Sequence, residues 1–427
     1  MEEGWIRRAG VRLHFIEWRP SRPSPWPALL LLHGLSSNAR IWERVAGWLP
    51  DLHLVALDQR SHGPSDRPSE GYTGPELTED AARLIQELGL DRPLLVGHSW
   101  GATVALALAA DRPRLAAGLV VVDGPVSALH DRMSWEEASH RLQPPLPCYH
   151  DLAEAVAAQR SALAGAWGDD LLGFVRAGLV EQPGGLVPTL SATVREQAVR
   201  WLYDFRPESL LPRVEGPLLL AMAERPWPGA PPSVLEWRRR SVERAGELRP
   251  DARVRWYDSP HDIPLVRPGE LALDLERTAV AAAFWSLARE TAALAGKERP
   301  WRRRIHAAEG GWEARDLLAH LSSTQSALAS VVATAGGEDA ATAAGQAFDP
   351  DRWNASQVRR RRERTPAELV EELRAGSAQL HAALMGAELD ARTSIGPQAG
   401  RPLREALERM HAHQRAHLAE LQAALRA

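Results

Sequence analysis

The pentapeptide Gly97-His98-Ser99-Trp100-Gly101 restricts the fold of this chain more than any other segment. It stands between an apolar run at 93–96, which reads as a strand, and an alanine-rich stretch at 102–110, which reads as a helix. A G-x-S-x-G sequence in that setting makes a strained strand-to-helix turn. The flanking glycines let the backbone double back, and the serine hydroxyl is lifted clear of the sheet edge. Such a turn belongs to a βα unit, so a parallel sheet is expected around it.

The surrounding sequence repeats that unit. From residue 11 to about 258, short β-branched or leucine-rich runs alternate with loops and alanine-rich helical stretches, predicting strands at 11–18, 28–33, 53–58, 93–97, 118–123, 217–221 and 254–257. The runs at 28–33, 93–97 and 118–123 are apolar throughout, as strands buried on both faces should be. Between 134 and 213 the rhythm stops, and the segment reads as a helical insertion that would cover the sheet edge as a lid. Beyond 268 a helical period takes over at 270–296, 313–335, 366–386 and 402–426, the pattern of a four-helix bundle. Gly310-Gly311 and Thr365-Pro366 look like helix starts, and 336–351 like a long polar connection. The expected fold is therefore α/β: a mostly parallel, doubly wound sheet with a lid at about 134–213 in residues 1–283. An all-α four-helix bundle follows in residues 284–427. Residues 270–296 could also be one helix that ends the first domain and starts the second.

Length supports two domains, because 427 residues exceed what one hydrophobic core usually serves. With 51 Lys and Arg against 55 Asp and Glu, the net charge of −4 provides no basic field for nucleic acid. The arginine run 359–364 reads as a solvated face, and small molecules are the expected partners. The single cysteine, Cys148, cannot close an internal disulfide, and the first residues lack the apolar core of a signal peptide. Apolar stretches such as 102–110 fall short of the roughly 20 residues of a membrane helix. A cytoplasmic location without a membrane partner is expected, and the oligomeric state is left open.

Ser99 is the candidate nucleophile. His33-Gly34 follows the 28–33 strand, where a turn can aim the Leu35 backbone N–H at the same point as that of Trp100, making a two-donor oxyanion hole. The loop Asp58-Gln59-Arg60-Ser61-His62-Gly63-Pro64-Ser65-Asp66 follows the next strand, and Ser259-Pro260-His261-Asp262 follows the last, a position suited to a general base. With these motifs in this order, residues 5–285 resemble an α/β-hydrolase. The resemblance implies Ser99 as nucleophile, His261 as base and then acid, the Leu35 and Trp100 amides as oxyanion donors, and no cofactor. Serine at the elbow sets the chain apart from members that open epoxides or remove halides with aspartate. The acid departs from the family pattern: a G-x-x-D turn usually follows the strand at 217–221, whereas here the sequence is Ala223-Glu224-Arg225-Pro226. Two carboxylates remain, Asp123 at the end of the 118–122 strand and Glu224 near the usual place, with Asp123 preferred. His33 and His62 are expected to support loops and His98 to pack. Trp135, Trp167 and Trp201 either form an apolar pocket or pack the lid.

In the bundle, His413 and His417 are four residues apart on one helix and share a face, and His320 faces inward beside Leu317 and Leu321. Three histidines from two helices suit a divalent ion with open positions. The sequences G-W-E-A-R-D-L-L-A-H-L at 311–321, F-D-P-D-R-W-N at 348–354 and H-Q-R-A-H-L-A-E-L at 413–421 resemble, in order, the DinB-like metal-binding bundles related to thiol-dependent transferases and isomerases. That resemblance implies His320, His413 and His417 as ligands of a divalent transition metal, Zn or Ni. It also implies a low-molecular-weight thiol as partner. His306, His381 and His411 have no counterpart. With one cysteine, such a metal is held by histidine and such a thiol is supplied from solution.

The leading expectation is a serine hydrolase of a carboxylic ester or related acyl compound, fused to a metal-binding bundle. A metal-dependent thiol transferase or isomerase with an accessory hydrolase domain, and a non-catalytic ligand-binding scaffold, are the other two.

Overall fold

Five short apolar runs form the middle of one eight-stranded sheet, in the order β1-β2-β4-β3-β5-β6-β9-β10. The strands are β1 (Glu2–Arg8), β2 (Val11–Trp18), β3 (Leu29–Leu32), β4 (Leu54–Leu57), β5 (Leu94–His98) and β6 (Gly118–Val122). After a separate hairpin of β7 (Leu179–Gln182) and β8 (Gly185–Pro188) come β9 (Leu218–Ala223) and β10 (Arg253–Tyr257). The computed structural model describes residues 1–226, 230, 232–295, 300–305, 311–337, 348–394 and 396–426. β1 pairs antiparallel with β2 and β2 with β4, and every later neighbour is parallel. β3, β4, β5, β6 and β9 are buried at every residue, which is why their sequences are dominated by Leu, Val and Ala rather than alternating.

Helices Gly74–Glu87 and Trp100–Asp111 join these strands into one hydrophobic core. The second of them is buried along nearly its whole length, since the elbow directs it beneath the sheet. Between β6 and β9 the insertion carries helices Trp135–Leu142, Leu152–Leu163, Leu172–Ala177 and Ala192–Asp204.

By contacts the chain divides into two compact units, Met1–Ala279 and Val280–Ala427. The division falls within a continuous helix, Pro268–Ala295. The second unit contains helices Ala314–Thr334, Pro350–Arg360, Pro366–Leu384 and Leu403–Arg426. Its core is built from Leu317, Leu318, Leu321, Leu369, Leu421 and Leu425 among others. Pro366–Leu384 approaches Ala314–Thr334 closely at Gly376, where a Cβ would lie 3.1 Å from the Ser326 backbone nitrogen.

Three elements differ from the sequence expectation. β1 is an added edge strand. The insertion is not wholly helical, since it includes the β7–β8 hairpin. A further helix, Pro350–Arg360, replaces the end of the expected connection, capped by Asp349, whose side chain accepts from the Arg352 N–H. Gly310, His306, residue 296 and most of the connection, 338–347, lie outside the described residues. Among the described residues no helix is long and apolar enough to cross a membrane.

Candidate active site and candidate metal centre

β5 delivers Ser99 to the elbow. Ser99 has φ 53° and ψ −119°, a conformation a side chain enters only under constraint. The flanking glycines are required by close approach: a Cβ on Gly97 would lie 2.4 Å from the Ala102 Cα, and one on Gly101 2.4 Å from the Leu32 and His33 carbonyl oxygens. The Ser99 N–H donates to the Val122 carbonyl at 2.9 Å, tying the elbow to the end of β6.

Asp123 follows directly. It too has a positive φ, 41°, and its carboxylate turns inward, with 2% of the side chain exposed. Oδ2 accepts from Nδ1 of His261 at 2.6 Å, and Oδ1 accepts from the Ala223 N–H at 3.1 Å. Nη2 of Arg238 lies 3.3 Å from Oδ2, while Nη1 of the same guanidinium donates to the Ala223 carbonyl. Burial drives the Asp123 pKa up, but His261, Arg238 and the Ala223 amide outweigh it, and the net displacement is downward. His261 moves the other way: desolvation opposes its protonation, yet the bond and charge of Asp123 prevail and raise its pKa. Of the two candidate acids, the structure brings Asp123 to the histidine. Glu224 uses its backbone N–H on the Tyr257 carbonyl, and among the described residues its side chain makes no bond to His261.

Ser99 and His261 line one cavity of about 340 Å³, together with Gly34, Leu35 and Asn38 on one side and Pro144, Leu146 and Tyr149 of the insertion on another. Trp100 stands first in its helix, where an N–H has no intrahelical acceptor. Among the described residues neither that N–H nor Leu35's has a protein partner. The Leu35 loop is braced by neutral histidines. His62 accepts the Ser36 N–H on Nε2 at 3.1 Å and donates from Nδ1 to the Arg60 carbonyl, and burial pushes its pKa down to about 4. His33 accepts the Gln59 N–H and donates to the Gly34 carbonyl.

His98 does more than pack. Its Nε2 donates to the His261 carbonyl, and it lines the same cavity. Arg238 and Arg195, a lining residue from the insertion, also had no motif to mark them. Trp135, Trp167 and Trp201 do not line this cavity: Trp201 sits edge-on against Trp100 and Phe205, Trp135 lies under Arg200, and Trp167 under Arg160.

In the second unit the structure brings His320, His413 and His417 together, with a ligand atom from each within 4.8 Å of the others. Nε2 of His320 and Nε2 of His413 are 3.3 Å apart, the spacing that two ligands roughly 2 Å from one ion require. His417 donates from Nδ1 to Glu420 at 3.2 Å, which leaves Nε2 available, as an outer carboxylate does at metal sites. Burial followed by the neighbouring histidines pushes His320 down to about 3 and lowers His413, keeping both imidazoles neutral as ligands must be. The donor set therefore fits a divalent transition metal. His320 and His413 also line a cavity of about 610 Å³ with Leu328, Val331, Phe348 and Trp353. His411 packs edge-on against Phe284 instead.

The N-formylmaleamate deformylase of Pseudomonas putida is 31% identical over 268 residues, covering 61% of this chain and 90% of that protein. The chain belongs to the α/β-hydrolase family. The alpha/beta hydrolase fold model matches residues 27–159, and the model of the mycothiol maleylpyruvate isomerase N-terminal domain, of the DinB-like metal-binding family, matches 280–422. The 2-(acetamidomethylene)succinate hydrolase of Mesorhizobium japonicum is 32% identical over 181 residues, 41% of this chain, which spans 63% of that relative's length. A crystal structure of E-2-(acetamidomethylene)succinate hydrolase shares the fold at 24% identity and a TM-score of 0.52, over 64% of this chain and 99% of that one. The α/β-hydrolase is thus joined in one chain to a mycothiol-isomerase-like domain.

Proposed function

We propose that residues 1–283 form a serine hydrolase of acyl compounds, with Ser99, His261 and Asp123 as its triad. The observation that carries this is the 2.6 Å bond from His261 Nδ1 to the buried Asp123 carboxylate, in a cavity that His261 shares with Ser99. That bond fixes the imidazole tautomer with Nε2 free to take a proton. His261 takes the Ser99 hydroxyl proton as Oγ attacks the acyl carbon, and the Leu35 and Trp100 N–H groups stabilise the resulting oxyanion. His261 then protonates the leaving group. Water, deprotonated by the same histidine, releases the acid and regenerates Ser99. Carboxylic esters are the first substrate class, and the names of the two relatives, a deformylase and a hydrolase of an acetamido compound, extend it to amides.

Labelling by a fluorophosphonate probe tests the assignment. Ser99 should be modified in the wild type, Ser99→Ala should neither label nor hydrolyse p-nitrophenyl esters, and ester turnover at the wild-type rate in Ser99→Ala would refute it. The same probe separates an enzyme from a non-catalytic scaffold.

A second reading concerns residues 284–427 and is favoured by the cavity beside His320 and His413. There the three histidines would hold a divalent transition metal, Zn or Ni, serving a thiol transferase or isomerase that takes a low-molecular-weight thiol from solution. Bound there, the ion would supply activation of that thiol as thiolate. The chain's own part is to keep the His320 and His413 imidazoles neutral and to offer an apolar wall for the co-substrate.

A further inference from the structure

Arg195 stands on helix Ala192–Asp204 of the insertion and lines the Ser99 cavity. Among the described residues lining that cavity it is the only arginine or lysine. A half-buried guanidinium normally has a carboxylate partner, because removing its charge from water is costly. This one has none. Among the described residues no Asp or Glu lies within ion-pair distance, and its Nε is buried without a hydrogen-bond partner. Asp262 lines the same cavity yet does not pair with it. Burial, opposed by no neighbouring anion, depresses the Arg195 pKa. Its charge reaches the oxyanion loop as well, since it contributes to lowering His62.

We propose that Arg195 binds a carboxylate of the substrate, so that this hydrolase acts on acyl compounds carrying a free carboxylate. The proposal rests on the Ser99 hydrolase reading and narrows its substrate class. A planar guanidinium fork matches a carboxylate's two oxygens. One guanidinium, with Asp262 in the same cavity, suits a single negative charge better than a phosphate dianion. The proline- and leucine-lined wall at Pro144, Pro145, Leu146 and Pro147 would receive the apolar part of the molecule.

Direct binding tests this without requiring turnover. Succinic, glutaric and adipic monoanilides, each as the free acid and as its methyl ester, are titrated calorimetrically into the wild type, Arg195→Met and Arg195→Lys, each carrying Ser99→Ala so that neither ester nor anilide is cleaved, with the Ser99-bearing counterparts kept for labelling. The expected result is that at least one free acid binds the wild type about tenfold or more tighter than its methyl ester. That ratio should fall to within about twofold in Arg195→Met and be partly restored in Arg195→Lys. Equal binding of acid and ester by the wild type, absence of binding by every acid, or a preference that survives in Arg195→Met would overturn it. Far-ultraviolet circular dichroism identifies a misfolded variant, in which case the wild-type ratio and Arg195→Lys decide. Fluorophosphonate labelling of Ser99 is read in parallel: loss of labelling defeats the hydrolase reading, whereas loss of acid preference with labelling intact defeats only this one.

Discussion

The His98 ring lies 4.8 Å from the His261 ring, centroid to centroid, and its Nε2 donates to the His261 carbonyl oxygen at 3.0 Å. The residue beside Ser99 thus holds the loop that carries His261. Burial, then the proximity of His261, pushes the His98 pKa down to about 4, so it stays neutral at pH 7 and can donate only one such bond. His98→Phe keeps the ring and removes the donor. A drop of about tenfold in kcat/KM for ester hydrolysis is expected, the value of one neutral hydrogen bond, with partial recovery in His98→Gln.

Asp123→Asn should reduce turnover by on the order of 10³ to 10⁴, because an amide cannot stabilise the imidazolium and favours the wrong tautomer. Glu224→Gln should stay within about twofold of the wild type. Steady-state kinetics with unchanged thermal unfolding of both variants is the check, and equal losses in the two would remove the distinction between them.

The pH profile follows from the same pair. In the proposed triad His261 can accept the Ser99 proton only when neutral, and Asp123 raises its pKa above the ordinary 6.5, so kcat/KM should fall as pH drops through that raised value. In Asp123→Asn the main supporting charge is gone, desolvation is opposed only by the smaller influence of Asp262, and the acidic limb should move to lower pH. The stability linkage has a definite sign. His261 contributes stability that is complete below about 6.5 and is lost as pH rises through its folded value. The lowered Asp123 contributes stability that is lost as pH falls through its own. Thermal melts between pH 4 and 9, compared with His261→Ala, measure both.

Gly101→Ala places a methyl group 2.4 Å from two backbone carbonyl oxygens, which cannot rotate away as a side chain would. Destabilisation of about 3 kcal/mol or failure to fold is expected. Gly89→Ala, where nothing lies within 4 Å but φ is +61°, should cost only about 1 kcal/mol from its backbone conformation. Chemical denaturation of the two variants gives the comparison.

Purified protein should carry a transition metal near one equivalent, and His413→Ala with His417→Ala should lose it, as metal analysis by mass spectrometry will show. Chelation should leave ester hydrolysis unchanged, since no ligand of that cluster belongs to the Ser99 cavity.

The inner parallel strands were readable because burial on both faces leaves an uninterrupted apolar run, as in Leu29–Leu32 or Leu218–Ala223. β1 was not, because an edge strand of sequence EEGWIRR buries only Ile6 and leaves no such run. The β7–β8 strands are four residues each and at most half-buried, and helix Pro350–Arg360 buries no residue, so neither has a hydrophobic pattern to read. At the candidate site, Ser99 and His261 follow strands and stand in short motifs, so local sequence located them. Arg238 meets Asp123 and His98 meets His261 only through the fold, across separations that no local spacing encodes. Sequence left two carboxylates open for the same reason: it places both at strand ends and cannot give the direction in which either side chain turns.

Ser99, Asp123 and His261 all sit just beyond the ends of parallel strands, whereas Arg195 sits on a helix of the insertion between β6 and β9. What would react and what would be recognised are therefore written on separate stretches of chain. Exchanging the insertion would retune selectivity by graft, leaving Ser99, Asp123 and His261 on an inherited frame.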